Sequence, residues 1–222
     1  LKIIFMYGFK IMKSSIQEKI GESAFLFRSA LCEESNLLID EICRISELSP
    51  FRQMRTRRGV MSVEMTNCGT LGWLSDTRGY RYTEIDPLTR KHWPPMSPWV
   101  QALATQFALR AGFAQFHPNA CLINKYIPGM RLGMHRDNDE GDTGQPIVAF
   151  SFGLPALFRW GGVSAKDPTK DILISQGDVL VWGREDRLRY HGIHKVYDEG
   201  LQTSMNERLV MTFRYSRLSQ HN

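Results

Sequence analysis

No stretch of the 222-residue sequence approaches the roughly 20 consecutive apolar residues of a membrane-spanning helix. The segment from Leu1 to Ile20 is broken by Lys10, Lys13, Glu18 and Lys19, so a signal peptide is not expected either. A soluble, cytoplasmic protein without a membrane partner is the expectation. Cysteine is scarce: Cys32, Cys43, Cys68 and Cys121 are far apart and form no CxxC pair, which speaks against a zinc ribbon or a disulfide framework. Internal repeats and low-complexity segments are absent.

What is present is the material of a globular protein. A composition of 42% hydrophobic and 23% charged residues gives one domain able to bury a core. The formal charge of +5 suits a polyanionic partner, because a basic surface attracts phosphate backbones without regard to sequence. The charge is locally concentrated, with Arg52, Arg55, Arg57 and Arg58 beside Phe51.

Helical spacing runs from Glu33 to Leu48 and is ended by Pro50. A second helix is expected from Ser97 as N-cap, with Pro98 in the first helical position, to near Gly112. Residues 66–95 are rich in Gly, Tyr, Trp and Pro without a sustained period, as in an ordered loop or irregular hairpins that could serve as a binding lid. After Pro118 the pattern changes to seven short strands: Cys121–Tyr126, Arg131–Asp137, Ile147–Gly153, Leu157–Trp160, Ile172–Ser175, Val179–Trp182 and Arg208–Tyr215. Turns at Pro128-Gly129, Gly161-Gly162 and Gln176-Gly177-Asp178 favour closure as a double-sheet jelly roll. The fold class is thus mainly β with flanking helices (α+β).

The chemistry begins at Met134-His135-Arg136-Asp137, where His and Asp two apart in a strand share one face and can hold one metal ion. Alone, an HxD pair is a weak signal. His191, in Tyr190-His191-Gly192-Ile193, is the best-placed third donor, and two His with one carboxylate make the facial triad of non-haem Fe(II) oxygenases. On the last strand Arg208, Val210, Thr212 and Arg214 alternate onto one face, away from Leu209, Met211, Phe213 and Tyr215. Two inward-facing arginines are costly unless anions neutralise them, and a dicarboxylate would do so through guanidinium forks. Asn124 and Tyr126 alternate onto one face of their own strand and offer an amide and a phenol.

Several runs carry a resemblance: Ser49-Pro50-Phe51-Arg52-Gln53-Met54, Met65-Thr66-Asn67-Cys68-Gly69, Leu71-Gly72-Trp73, Ala120-Cys121-Leu122-Ile123-Asn124, Gly153-Leu154-Pro155-Ala156 and Tyr190-His191-Gly192-Ile193. In collinear order, from about Phe25 to Tyr215, the chain resembles the AlkB family of DNA-repair dioxygenases. The resemblance implies a double-stranded β-helix (jelly-roll) core, Fe(II), the co-substrates 2-oxoglutarate and O₂, and oxidative dealkylation of bases such as 1-methyladenine and 3-methylcytosine. It implies iron binding by His135, Asp137 and His191, and 2-oxoglutarate binding by Asn124, Tyr126, Arg208 and Arg214, with Arg214 at the iron-chelating end. Met65 and Trp73 would line the base pocket, Tyr80 would contact the strand, and Asp139 and Glu140 would face the exocyclic edge. An N-terminal extension, 1–24, would precede a single domain, 25–222, with helices and recognition lid in 25–118 and the catalytic core in 119–218. Alkylated DNA, preferably single-stranded, is the implied partner of a monomer, with RNA as the alternative.

Departures from the family pattern fall mainly on the nucleic-acid grip. Asn138 and Ala165 stand where the resemblance implies Lys and Arg, and Val210 where it implies Asn; Arg131 keeps a positive charge in place of Lys. Arg55, Arg57 and Arg58 in the early lid, with Lys166 beside Ala165, are the expected compensation. Two rival readings are a relative acting on RNA or protein side chains, and a non-catalytic basic binding module with a structural metal. The second is disfavoured because structural zinc normally takes four protein ligands and only three are found.

Overall fold

The structure, a computed structural model, describes residues 16–57, 59–198 and 205–218; Arg58 and the first fifteen residues of the expected N-terminal extension lie outside them. Two antiparallel sheets form the core. The smaller has the order β11-β10-β13-β8, from Lys170–Ile174, Ala156–Trp160, His191–Val196 and Leu132–His135. The larger is centred on β12-β9-β14-β7, from Val179–Trp182, Ile147–Gly153, Arg208–Arg214 and Ala120–Tyr126. It is extended on one side by β2 (Ala24–Phe27) and β1 (Gln17–Lys19), and on the other by β4 (Gly59–Gly69) and β3 (Arg52–Thr56). The sheet therefore starts upstream of residue 25.

The strand pattern explains the layering. β9 is buried along its whole length because both of its faces are covered. Val148, Phe150 and Phe152 meet the helices α1 (Ser35–Leu48) and α2 (Pro98–Arg110), through Leu38, Ile42, Ile45, Leu103 and Phe107. Ile147 and Ala149 face the other way, towards Phe158, Trp160 and Ile193 of the smaller sheet. The period of two thus sorts one apolar run between two cores. Ser97 does precede α2, but its hydroxyl makes no cap; it donates to Glu41 Oε1 at 2.6 Å and ties the two helices together.

Two features depart from the sequence-based expectation. An eighth core strand, β13, begins at His191, where a register shift between His191 and Ile193 breaks the alternation by which a strand is recognised. The stretch 66–95 contains a regular hairpin, β5 (Gly72–Asp76) and β6 (Gly79–Thr83). Arg52 also leaves the basic run, because its guanidinium pairs with fully buried Asp86 at 2.7 Å and lies over Trp93. Arg55 and Arg57 remain exposed.

Candidate active site

The two histidines meet because their strands pair. His191 is the register partner of His135 across β13 and β8, and their rings lie 4.5 Å apart. Gly192 permits this approach, since a Cβ there would come within 2.5 Å of the Leu132 carbonyl oxygen. Asp137 lies just beyond the end of β8, 3.6 Å from His135 Nε2 and 3.8 Å from His191 Nε2. One donor atom from each of the three falls within 4.8 Å of the others.

The orientation suits a metal. His135 Nδ1 is 2.9 Å from the Gly133 carbonyl and His191 Nδ1 is 3.0 Å from the Arg189 carbonyl. A carbonyl only accepts, so each Nδ1 carries the proton and each Nε2 lone pair faces Asp137. Burial, reinforced by the neighbouring His135, pushes His191 down to about 4 and keeps it neutral at neutral pH. Burial alone would raise Asp137, but Arg214 and the two histidines hold its carboxyl well below the usual range.

A cavity beside this trio is lined by Asn124, Tyr126, Ser151, Arg208, Val210 and Arg214, among others. The alternation of β14 is as the sequence predicts, with Arg208, Val210, Thr212 and Arg214 on the cavity side and Leu209, Met211 and Phe213 in the helical core. Arg208 is 2% exposed, yet among the described residues it donates hydrogen bonds only to the Leu154 carbonyl (3.1 Å) and the Ser151 hydroxyl (3.0 Å). Among the described residues its Nε has no hydrogen-bond partner, as is true of Asn124 Oδ1. Burial pushes this guanidinium down to about 10. A buried cation with no carboxylate in contact among the described residues is a site for an anion. Asn124 donates to the Tyr126 hydroxyl at 3.2 Å, and burial raises that phenol to about 12, so it stays protonated. Arg214 instead donates to Asp137 Oδ2 at 2.8 Å. Val210 lies between its register partners Asn124 and Ser151, adding no polar group.

A second cavity, about 270 Å³, adjoins the first and shares Asn124, His135, Asp137 and Arg214 with it. Its walls include Met61, Met65, Trp73, Tyr80, Arg136, Asp139 and Glu140. Trp73 and Tyr80 stack at 5.5 Å with their planes 22° apart, and Tyr80 is 56% exposed at the rim. Trp73 Nε1 donates to Asp139 Oδ2 at 3.3 Å, while burial raises the Asp139 carboxyl. Glu140 is different: it is 2% exposed and both of its oxygens are engaged, Oε1 by the Tyr82 hydroxyl and Oε2 by Arg187. Asn138, Ala165 and Lys166 are exposed.

Sequence reasoning missed Ser151, Tyr82 and Arg187. Ser151 had a usable signal as the one hydroxyl in the apolar run of β9. Arg187 had none, for it sits in a charged segment after a short 3-10 turn and meets Glu140 from 47 residues away.

The model of the 2OG-Fe(II) oxygenase superfamily matches residues 25–214, which fixes the class as Fe(II)- and 2-oxoglutarate-dependent oxygenases using O₂. The alpha-ketoglutarate-dependent dioxygenase AlkB of Salmonella typhimurium is 45% identical over 200 residues, covering 89% of this chain and 92% of its own. Within the superfamily, the chain belongs to the AlkB family. The mouse nucleic acid dioxygenase ALKBH1 is 31% identical over 127 residues, 57% of this chain and 32% of its own. The solved structure of OsALKBH1 shares the fold, with a TM-score of 0.76 at 24% identity, covering 90% of this chain and 100% of that one.

Proposed function

We propose that this dioxygenase removes alkyl groups oxidatively from damaged nucleic-acid bases, as a DNA-repair enzyme, and that His135, Asp137 and His191 hold its Fe(II). The observation that carries the reading is the aromatic cavity opening directly onto those three donors. Bound Fe(II), with 2-oxoglutarate and O₂, supplies oxygen insertion into a C–H bond while the co-substrate leaves as succinate and CO₂. The protein binds, orients and excludes water.

In this reading Arg208 holds the distal carboxylate of 2-oxoglutarate with Asn124 and Tyr126. It offers an unsatisfied Nε and a buried charge that needs an anion. Arg214, in contact with Asp137, holds the end of the co-substrate nearest the metal.

A base must leave its stack to reach these donors, and Trp73 and His135 replace the lost stacking. Alkylation at the pairing edge of adenine or cytosine gives a positive charge, which the aromatic faces and Asp139 favour. It also weakens pairing, so damaged bases are easier to extrude, and unpaired strands easiest of all. Single-stranded DNA is therefore the preferred substrate. Met65 packs against the base and Tyr80 contacts the strand from the rim. Hydroxylation of an N-methyl carbon gives an N-hydroxymethyl base, which releases formaldehyde and restores the original base. Because one chain supplies every group of the site, the enzyme works as a monomer, and its four free thiols suit the reducing cytoplasm.

The test is conversion of a 1-methyladenine oligonucleotide by the purified protein with Fe(II), ascorbate and 2-oxoglutarate. Restored adenine with succinate in equal amount is expected; neither product would sink the proposal. Matched DNA and RNA strands in the same assay rank the two polymers.

A further inference from the structure

Glu140 lines the larger cavity, yet its carboxylate is not free to meet a ligand there. Oε1 accepts the Tyr82 hydroxyl at 3.1 Å and lies 3.3 Å from Arg214 Nε. Oε2 accepts Arg187 Nη2 at 3.0 Å, and Arg187 donates through Nη1 to the backbone carbonyl of Asp137 and through Nε to that of Gln145 at 2.8 Å. The Glu140 carbonyl accepts from the Ser216 hydroxyl and the Arg217 amide. Turning the carboxylate towards a base would leave the buried Tyr82 phenol without its acceptor or the buried Arg187 guanidinium without its carboxylate, which costs more than one new hydrogen bond returns.

The connections run in a definite direction. Tyr82 lies directly across the β5–β6 hairpin from Trp73, and Trp73 packs against the small cluster that Tyr82 forms with Leu71 and Ala120. A ring entering the larger cavity against Trp73 therefore bears on Tyr82, and Tyr82 bears on Glu140. Beyond Glu140 stand Arg214, shared with Asp137 Oδ2, and Arg187, which holds the backbone of Asp137.

We infer that Glu140 is a positioning residue that couples filling of the base cavity to the co-substrate and metal side of the site, relaying through Tyr82, Arg214 and Arg187. This rests on the reading of the larger cavity as a base pocket. Each ligand orders the shared network, so the second to bind finds part of the ordering cost already met. Such coupling is reciprocal: whatever factor the base adds to 2-oxoglutarate binding, 2-oxoglutarate adds to base binding.

The experiment uses Mn(II)-loaded protein without turnover and measures the Kd of 2-oxoglutarate by calorimetry, with and without a 1-methyladenine pentanucleotide. In the wild type the oligonucleotide should tighten 2-oxoglutarate binding about fivefold or more. Tyr82→Phe removes one hydroxyl from a residue outside both cavities. It should bring that factor below about twofold, while each ligand alone binds within about twofold of wild type. Glu140→Gln should lose the coupling as well. Full coupling in Tyr82→Phe would overturn the inference, as would no coupling in a wild type that still restores adenine. A wild type that neither binds nor converts the methylated strand would bring down the base-pocket reading, and the inference with it.

Discussion

The two halves of the site are held in opposite ways. On the double sheet His191, Asp137, Arg208 and Arg214 are each under a tenth exposed, and backbone carbonyls or neighbouring strands fix their positions. On the hairpins β3–β4 and β5–β6, Arg55, Arg57 and Tyr80 stand in solvent, and Trp73 leans on Tyr80 and Asp139. Burial makes the first half exact in geometry and intolerant of change. Exposure leaves the second half freer to vary; of the departures from the family pattern, Asn138 and Ala165 are exposed, whereas Val210 is buried in the first half between Asn124 and Ser151.

The sharpest way to break this contrast is at its most buried cation. Arg208→Met keeps much of the side-chain volume and removes the charge, so the fold should hold. Truncating one partner of a buried charge pair costs about 2–5 kcal/mol, and 2-oxoglutarate binding should weaken roughly 30-fold or more. Titration of Mn(II)-loaded protein measures this, and oligonucleotide affinity measured without 2-oxoglutarate should stay near wild type. An unchanged co-substrate Kd would mean that the anion sits elsewhere.

Trp73→Ala probes the other half and should give the next largest effect. Stacking on an aromatic side chain is worth about 1–3 kcal/mol per base, which is roughly 5- to 150-fold in affinity for a methylated strand. Fluorescence anisotropy with a labelled oligonucleotide reads this directly. If 2-oxoglutarate affinity measured without oligonucleotide fell by as much, the two halves would not be separable in the way their burial suggests.

The same contrast explains what the sequence made legible. Arg208 and Arg214 could be placed because a strand alternates strictly and β14 keeps that alternation from end to end. His135 and Asp137 were legible for a related reason, two residues apart at a strand end. The strand that carries His191 was not, because its bulge falls beside that histidine. Contacts between distant segments were out of reach: Arg52 finds Asp86 34 residues away, and Arg187 finds Glu140 47 residues away. In both cases the charge is visible in the sequence and its buried partner is not. Among the described residues, the basic run thus loses Arg52 to a buried partner, while Arg55 and Arg57 stay exposed.

The lid charges that remain should act through salt. Replacing Arg55, Arg57 and Arg58 together with Ala should lower the slope of log K against log salt by about 2 for single-stranded DNA, at roughly 0.7 for each phosphate no longer neutralised. A series of anisotropy titrations from low to moderate salt gives the slope. An unchanged slope would move the grip to Lys166 and Arg131 and remove the lid arginines from it.

The smallest effect is expected where the β5–β6 hairpin is fastened to itself. Asp76 ends β5, accepts the Arg78 amide at 2.8 Å and takes two hydrogen bonds from Arg81, at 2.9 and 2.6 Å. The Arg81 guanidinium holds the Asp76 carboxyl well below its ordinary value. A carboxyl lowered in the folded state stabilises fully above its unfolded value, near 4, and loses that contribution as pH falls below it. Solvent screens this partly exposed pair, so the hairpin should loosen by no more than about 1 kcal/mol on acidification. Amide protection at Gly79 to Thr83, corrected for the intrinsic exchange rate at each pH, should fall below about pH 4, while the protection of β9 and β14, sealed between two cores, should hold over the same range. Asp76→Asn should show the lower protection already at neutral pH and lose the pH dependence. Equal loss of protection in β9 would show that the hairpin and the double sheet open as one unit.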